Sequence, residues 1–200
     1  MCEWPECRYT ECPSLMSADE GYLLTASVCP LDAPHYFSVM YGDFDGAKFN
    51  IKYTSEVDKG PDQYAGQVFR DDKDRNLFIS WVPGWRYKGI ANGKNAGTFS
   101  IPRDIKKVDG KIIAYPPKEV QHLLKDNDEF VKITEDGFIA ERSACQIYKS
   151  DGQGHSLKDY VMERTPVVYK GKIDDIKILR DSYILEIFLN GGETNFTILL

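Results

Sequence analysis

The carboxyl of Glu11, set in Glu11-Cys12-Pro13, is the side chain in this sequence best framed for moving a proton to or from a bound ligand. Farther along, Tyr64-Ala65-Gly66-Gln67 and then Trp81 supply aromatic faces of the kind that stack on the C–H surfaces of sugars. A carboxyl with aromatic platforms reads as the acid half of a site that cleaves a glycosidic bond. Such a site needs two carboxylates, one protonated to donate and one ionised to attack or to activate water. Only Glu11 occupies a recognisable setting. Taken alone, Glu11 reads as well as a solvated surface glutamate, and Trp81 and Tyr64 as core aromatics of apolar strands.

The elements that would position these groups are short strands. Apolar and aromatic runs at 22–28, 36–41 and 48–53 are broken by polar and glycine-rich turns, among them 42–46. The pattern restarts at 64–69, 77–82, 98–107 and 111–115, with turns at 70–76 and at Asp109-Gly110. Two successive groups of about four strands predict two blades of a β-propeller, whose sheets repeat radially. Pro116-Pro117 marks a boundary. Beyond it, Val120, Leu123 and Leu124 suit one face of a short linker helix over 117–124. Runs at 130–134, 138–148, 172–179, 183–190 and 193–200 then predict a small antiparallel sheet or sandwich, with 150–156 as a loop. The fold class is all-β: residues 1–115 as partial propeller, 116–200 as sandwich-like domain.

Composition narrows the partners. A chain of 200 residues with 42% apolar content can bury a real core. A net charge of -6 disfavours a nucleic-acid grip, which asks for a basic face that displaces counterions. No apolar run approaches the about 18 residues of a membrane span, and the opening Met1-Cys2-Glu3-Trp4-Pro5 lacks the basic and apolar stretches of a signal peptide. A cytoplasmic location is the expectation. Cys2, Cys7, Cys12, Cys29 and Cys145 are an odd number without a zinc-type pair, so free thiols are expected and neither metal nor cofactor is implied.

Other patterns carry less. Asp72-x-Asp74-x-Asn76 imitates a calcium loop, but Leu77 takes the place of the required glycine and Pro83 that of the bidentate glutamate, which leaves a solvated hairpin turn. His35, His122 and His155 are scattered and support neither a metal cluster nor a serine triad. Trp85, Arg86 and Tyr87 read as a turn, and 84–89 lacks the lysine of a phosphate loop. Asn195-Phe196-Thr197 is a glycosylation sequon without a secretory context.

Six segments in order resemble glycoside hydrolase family 32, the invertases, fructanases and sucrose-6-phosphate hydrolases. They are Glu11-Cys12-Pro13-Ser14-Leu15, Tyr41-Gly42-Asp43-Phe44-Asp45-Gly46, Asp62-Gln63-Tyr64-Ala65-Gly66-Gln67-Val68-Phe69, Ser80-Trp81, Ile101-Pro102-Arg103-Asp104 and Leu185-Glu186-Ile187-Phe188-Leu189-Asn190-Gly191-Gly192-Glu193. The resemblance implies a five-bladed propeller followed by a β-sandwich, of which this chain corresponds to a C-terminal portion. It implies that Glu11 is the acid/base of a retaining double displacement on β-fructofuranosyl bonds, and that Cys12, Tyr64 and Trp81 line the sugar pocket. The family's nucleophile, an Asp in an Asn-Asp-Pro motif, has no counterpart here, nor does its Arg-Asp-Pro motif; Ile105 follows Arg103-Asp104, so no sugar-binding role passes to that pair. The implied partner is a small carbohydrate: sucrose, sucrose-6-phosphate or a fructan. Open sheet edges would allow self-association or pairing with a missing N-terminal fragment. A non-catalytic carbohydrate-binding or assembly module, or a truncated enzyme remnant, is the alternative.

Overall fold

A computed structural model describes residues 7–30, 36–83, 97–142 and 166–200. The turn at Trp85, Arg86 and Tyr87, the stretch 84–89, the loop 150–156, and Cys2, Cys145, His35 and His155 lie outside the described residues. No helix among the described residues is long and apolar enough to cross a membrane.

The first sheet is an antiparallel meander of β1 (Cys7–Ala18), β2 (Gly21–Pro30), β3 (Tyr36–Phe44) and β4 (Phe49–Ser55), hydrogen-bonded in that order. The second contains β5 (Tyr64–Arg70), β6 (Asn76–Pro83), β7 (Gly97–Phe99), β8 (Arg103–Val108) and β9 (Lys111–Tyr115); its path runs β5-β6-β8-β9, with β7 also on β6. Leu23, Phe37, Val39 and Tyr41 of the first sheet pack on Phe78, Ile105, Ile112 and Ala114 of the second. At the contact the rings of Phe37 and Phe78 stack with centroids 4.7 Å apart. Gly66 lies under that stack: a Cβ there would stand 2.3 Å from Phe78 and 2.6 Å from Phe37, so only glycine lets β5 come this close. Two meanders, each running outward from one of the adjacent edge strands β1 and β5, are the arrangement of neighbouring propeller blades. The chain is all-β, as expected, with a partial propeller.

Three local expectations are corrected. No strand was expected before residue 22, yet β1 is the longest of the described strands; Pro13, which argues against a strand, is accommodated at a bulge. The run 98–107 is two strands, because Ser100 turns its N–H to Ser80 while Ile101 donates its own to the Glu186 carboxylate. The linker helix over 117–124 is a single 3-10 turn, Gln121–Leu123, with Leu123 50% exposed. The spacing of Val120, Leu123 and Leu124 fitted a helix face, but none of the residues of the turn is buried.

Beyond this turn, β10 (Val131–Thr134), β11 (Gly137–Ala140) and β12 (Val167–Lys170) form one three-stranded sheet, and β13 (Ile176–Asp181), β14 (Ile184–Leu189) and β15 (Thr194–Leu199) another. They share a core of Phe138, Ala140, Ile178, Leu185, Ile187, Leu189, Phe196 and Ile198. Buried ion pairs tie this core to the blades. Arg103 of β8 is fully buried and donates to Asp58 and to Glu186 of β14 at 2.6 Å each, and to Thr197 of β15 at 2.7 Å. Its guanidinium lies between the rings of Phe78 and Phe188. Burial pushes the Glu186 carboxyl up against the lowering pull of Arg103. Asp62 is paired with buried Arg142 at 2.7 Å and accepts the N–H of Leu199 at 2.8 Å.

A solvated counterpart joins the β5–β6 hairpin to the segment after β9. Glu119 accepts from Arg75 at 2.9 Å and from Lys73. The Arg75 and then the Lys73 hydrogen bonds hold its carboxyl down, from an ordinary 4.5 to about 2. A lowered carboxylate contributes stability that is present above its unfolded value and lost as pH falls through its folded one. Unfolding curves should therefore show a contribution that vanishes between pH 4.5 and about 2, is absent in Glu119→Gln and is weakened by salt.

Candidate active site

Glu11 owes its aim to the bulge in β1. Glu11 pairs with Ser27 and Ser14 with Thr25, so Cys12 and Pro13 together oppose the single residue Ala26. Cys12 takes the left-handed conformation, φ 52°, and the strand bends there. Gln67 of β5 clamps the bend: its Nε2 donates to the Cys12 carbonyl at 3.0 Å, and its Oε1 accepts from the Ser14 hydroxyl at 3.2 Å. The two segments Glu-Cys-Pro-Ser and Tyr-Ala-x-Gln are thus halves of one structural device.

A second bulge faces the first. β5 pairs Tyr64 with Trp81 and Gln67 with Ile79, so Ala65 and Gly66 oppose Ser80 alone, and Ala65 has φ 49°. Tyr64 is buried, and its hydroxyl donates to Glu11 Oε2 at 2.5 Å. Cys29 of β2, 1% exposed, places its sulfur 2.8 Å from the Tyr64 oxygen and 3.9 Å from the same Glu11 Oε2. Burial, then the hydrogen bonds to Cys29 and Glu11, push the Tyr64 phenol far up, so it stays a donor through the neutral range. Burial likewise pushes the Cys29 thiol up.

Trp81 lies directly opposite Tyr64 in the ladder, and directly paired residues share a sheet face. It is half-buried, with Gly97 flat against the indole: a Cβ at Gly97, whose φ is 147°, would meet Trp81 Nε1 at 2.2 Å. Of the residues singled out from the sequence, Glu11, Tyr64 and Trp81 are therefore brought together, with Tyr64 as the bridge. Cys12 takes part through its backbone carbonyl, its side chain being half-buried. Sequence reasoning missed Cys29 and the clamping of Gln67 and Ser14. Gln67 and Ser14 stood inside quoted motifs, whereas Cys29 reaches the site only through the β1–β2 register, which no local pattern announces.

Glu11 is exposed, with one oxygen fixed from within the protein. A carboxyl so held can give or take a proton on its solvent side while Tyr64 keeps it oriented. The calcium-like segment is the β5–β6 hairpin turn, where Arg70 engages both Asp74 and the Asn76 amide oxygen. A concavity of about 930 Å³ lies elsewhere, between β10–β12 and β13. Its Lys170, Lys172 and Lys177 are paired with Asp136, Asp174 and Asp126, and Glu135 and Asp175 also line it, which makes it a salt-bridged surface groove with an excess of carboxylates.

Comparison with known proteins gives this cluster a context. Sucrose-6-phosphate hydrolase of Vibrio alginolyticus is 24% identical over 94% of this chain and 47% of its own length. A glycoside hydrolase family 32 structure from Bifidobacterium adolescentis superposes with a TM-score of 0.67 at 18% identity, covering 97% of this chain and 37% of its own. Sucrose-6-phosphate hydrolase from Lactobacillus gasseri gives 0.64 at 20% identity, covering 96% and 49%. These structural likenesses establish a shared fold, and the chain spans about half the length of the first of these relatives. The model of the Glycosyl hydrolases family 32 N-terminal domain matches residues 5–116, more than half of the chain and the whole of the Glu11 cluster, and the protein belongs to that family.

Proposed function

We propose that this chain carries the acid/base half of a β-fructofuranosidase site, with Glu11 as the group that protonates the departing sugar oxygen and then deprotonates the incoming water. The observation that carries it is the 2.5 Å grip of Tyr64 on Glu11 Oε2, on the sheet face that also presents Trp81, in a chain of family 32. A retaining displacement asks one group to act as acid and then as base, which requires a carboxyl held in one place through both steps. Trp81, half-buried, offers an aromatic face for a fructosyl ring, whereas Tyr64, expected from the sequence to do the same, is buried and serves by holding Glu11; Cys12 shapes the pocket wall through its bulged backbone. The substrate class is a β-linked fructoside, sucrose or its 6-phosphate among them. Residues 1–115 are the catalytic blades and 116–200 a shortened sandwich; the separate cores of the two stretches support this division. Among the described residues no strand pairs with the outer edge of β4, and that edge is the surface for self-association.

The retaining mechanism also needs a nucleophile, and the family's Asn-Asp-Pro motif has no counterpart in this sequence. The chain by itself is therefore expected to bind fructose or sucrose but not to hydrolyse sucrose at an appreciable rate. Calorimetric titration together with a glucose-release assay tests this. Hydrolysis that Glu11→Gln abolishes would refute the missing nucleophile, and binding without turnover that ignores both Glu11→Gln and Trp81→Ala would favour a carbohydrate-binding module.

A further inference from the structure

Proton counting around Glu11 shows more than a single hydrogen bond. When Glu11 is ionised it only accepts, and the one proton of Tyr64 then points to Oε2, 2.5 Å away. The Tyr64 oxygen, 2.8 Å from Cys29, is then left as an acceptor, and the Cys29 S–H is the donor, with Oε2 at 3.9 Å as the more distant acceptor of the same S–H. The Tyr9 hydroxyl, paired directly across from Cys29 and 51% exposed, also hydrogen-bonds that thiol, and with the S–H committed to Tyr64 it donates to the sulfur. The four side chains form one directed chain, Tyr9 to Cys29 to Tyr64 to Glu11, in which each donor is polarised by the one behind it.

We infer that Cys29 is a positioning residue for Glu11: by donating to Tyr64 it fixes the tyrosine proton on Oε2, and thereby assigns Oε1 as the oxygen that loads and releases the transferable proton. This rests on the proposed acid/base role of Glu11. Both contacts of the cluster go to Oε2, and among the described residues no hydrogen bond reaches Oε1. Were Cys29 only a space-filling core residue, its S–H would have no preferred direction. Without that donation the Tyr64 hydroxyl can swing or share its proton, and the carboxyl loses the reference that distinguishes its two oxygens.

Proton NMR of the whole chain tests this without substrate. The Tyr64 hydroxyl, identified by its loss in Tyr64→Phe, is expected as a downfield, slowly exchanging signal. In Cys29→Ala it should move upfield and exchange about tenfold faster, as suits the loss of one supporting hydrogen bond. Cys29→Ser, which keeps a donor, should restore it. Should Cys29→Ala fail to fold, Cys29→Val keeps the volume without a proton to donate. The inference is overturned if the wild type shows no such hydroxyl, if it is unchanged in the alanine or valine variant, or if serine behaves as alanine does. Fructose titration of the same samples separates the two claims: absent binding sinks the fructosidase assignment while the hydroxyl result still judges the role of Cys29.

Discussion

Replacing Arg103 by alanine should lower the stability of the chain by about 3–5 kcal/mol, the cost of stranding a buried carboxylate without its partner. Here two carboxylates are stranded at once, Asp58 and Glu186, each within 2.6 Å of the guanidinium and neither reached by solvent. The loss is comparable to the whole stability of many domains, about 5–15 kcal/mol, so the variant should be largely unfolded or sharply shifted in urea. The damage would spread because the network spans the molecule. Asp58 also accepts the Thr197 N–H at 3.0 Å, and Glu186 the Ile101 N–H at 2.6 Å, so β8, β14 and β15 all lose their alignment. Combining Arg103→Met with Asp58→Asn and Glu186→Gln should recover much of the loss, since it removes the charges together and keeps side-chain acceptors for the backbone. An Arg103→Ala midpoint close to wild type would show that water enters this junction.

The second large effect concerns chemistry. If Glu11 is the acid and the nucleophile is what the chain lacks, a small anion such as azide can stand in for it. Azide would attack the anomeric carbon of the fructosyl unit as the bond to the bridging oxygen breaks and Glu11 delivers its proton there, giving fructosyl azide and glucose from sucrose. General acid assistance contributes about 10²–10⁴-fold, so Glu11→Gln should lower the azide-dependent rate by that order. Tyr64→Phe should lower it less, because the carboxyl remains and only its orientation is relaxed.

How far the sequence foretold this arrangement depended on whether a signal was local. The sheet-by-sheet organisation was legible because turn residues such as Asp109-Gly110 punctuate apolar runs at strand length. Glu11, Tyr64 and Trp81 were legible as a set only through their resemblance to a family; by residue type alone each had a plain structural role. β1 was hidden by Pro13, which a bulge tolerates and a regular strand does not. Asp62, Arg103 and Glu186 stood inside family-like segments with no structural role assigned to them, and the structure buries them in ion pairs that join the first two sheets to the later strands. Nothing local marks a charge that will be paired with a residue some 80 positions away. Cys29 was invisible for the same reason: its neighbour Tyr64 is set by the packing of two sheets, and its neighbour Glu11 by register across one.

The most direct measurement of the central claim is glucose release from sucrose, with and without azide, by the wild-type chain and by Glu11→Gln. Release is expected only when azide is present, and should nearly disappear when Glu11 becomes Gln. Azide-dependent release that persists undiminished in Glu11→Gln, or none at all from wild-type chain shown to bind sucrose, would contradict Glu11 as the proton donor.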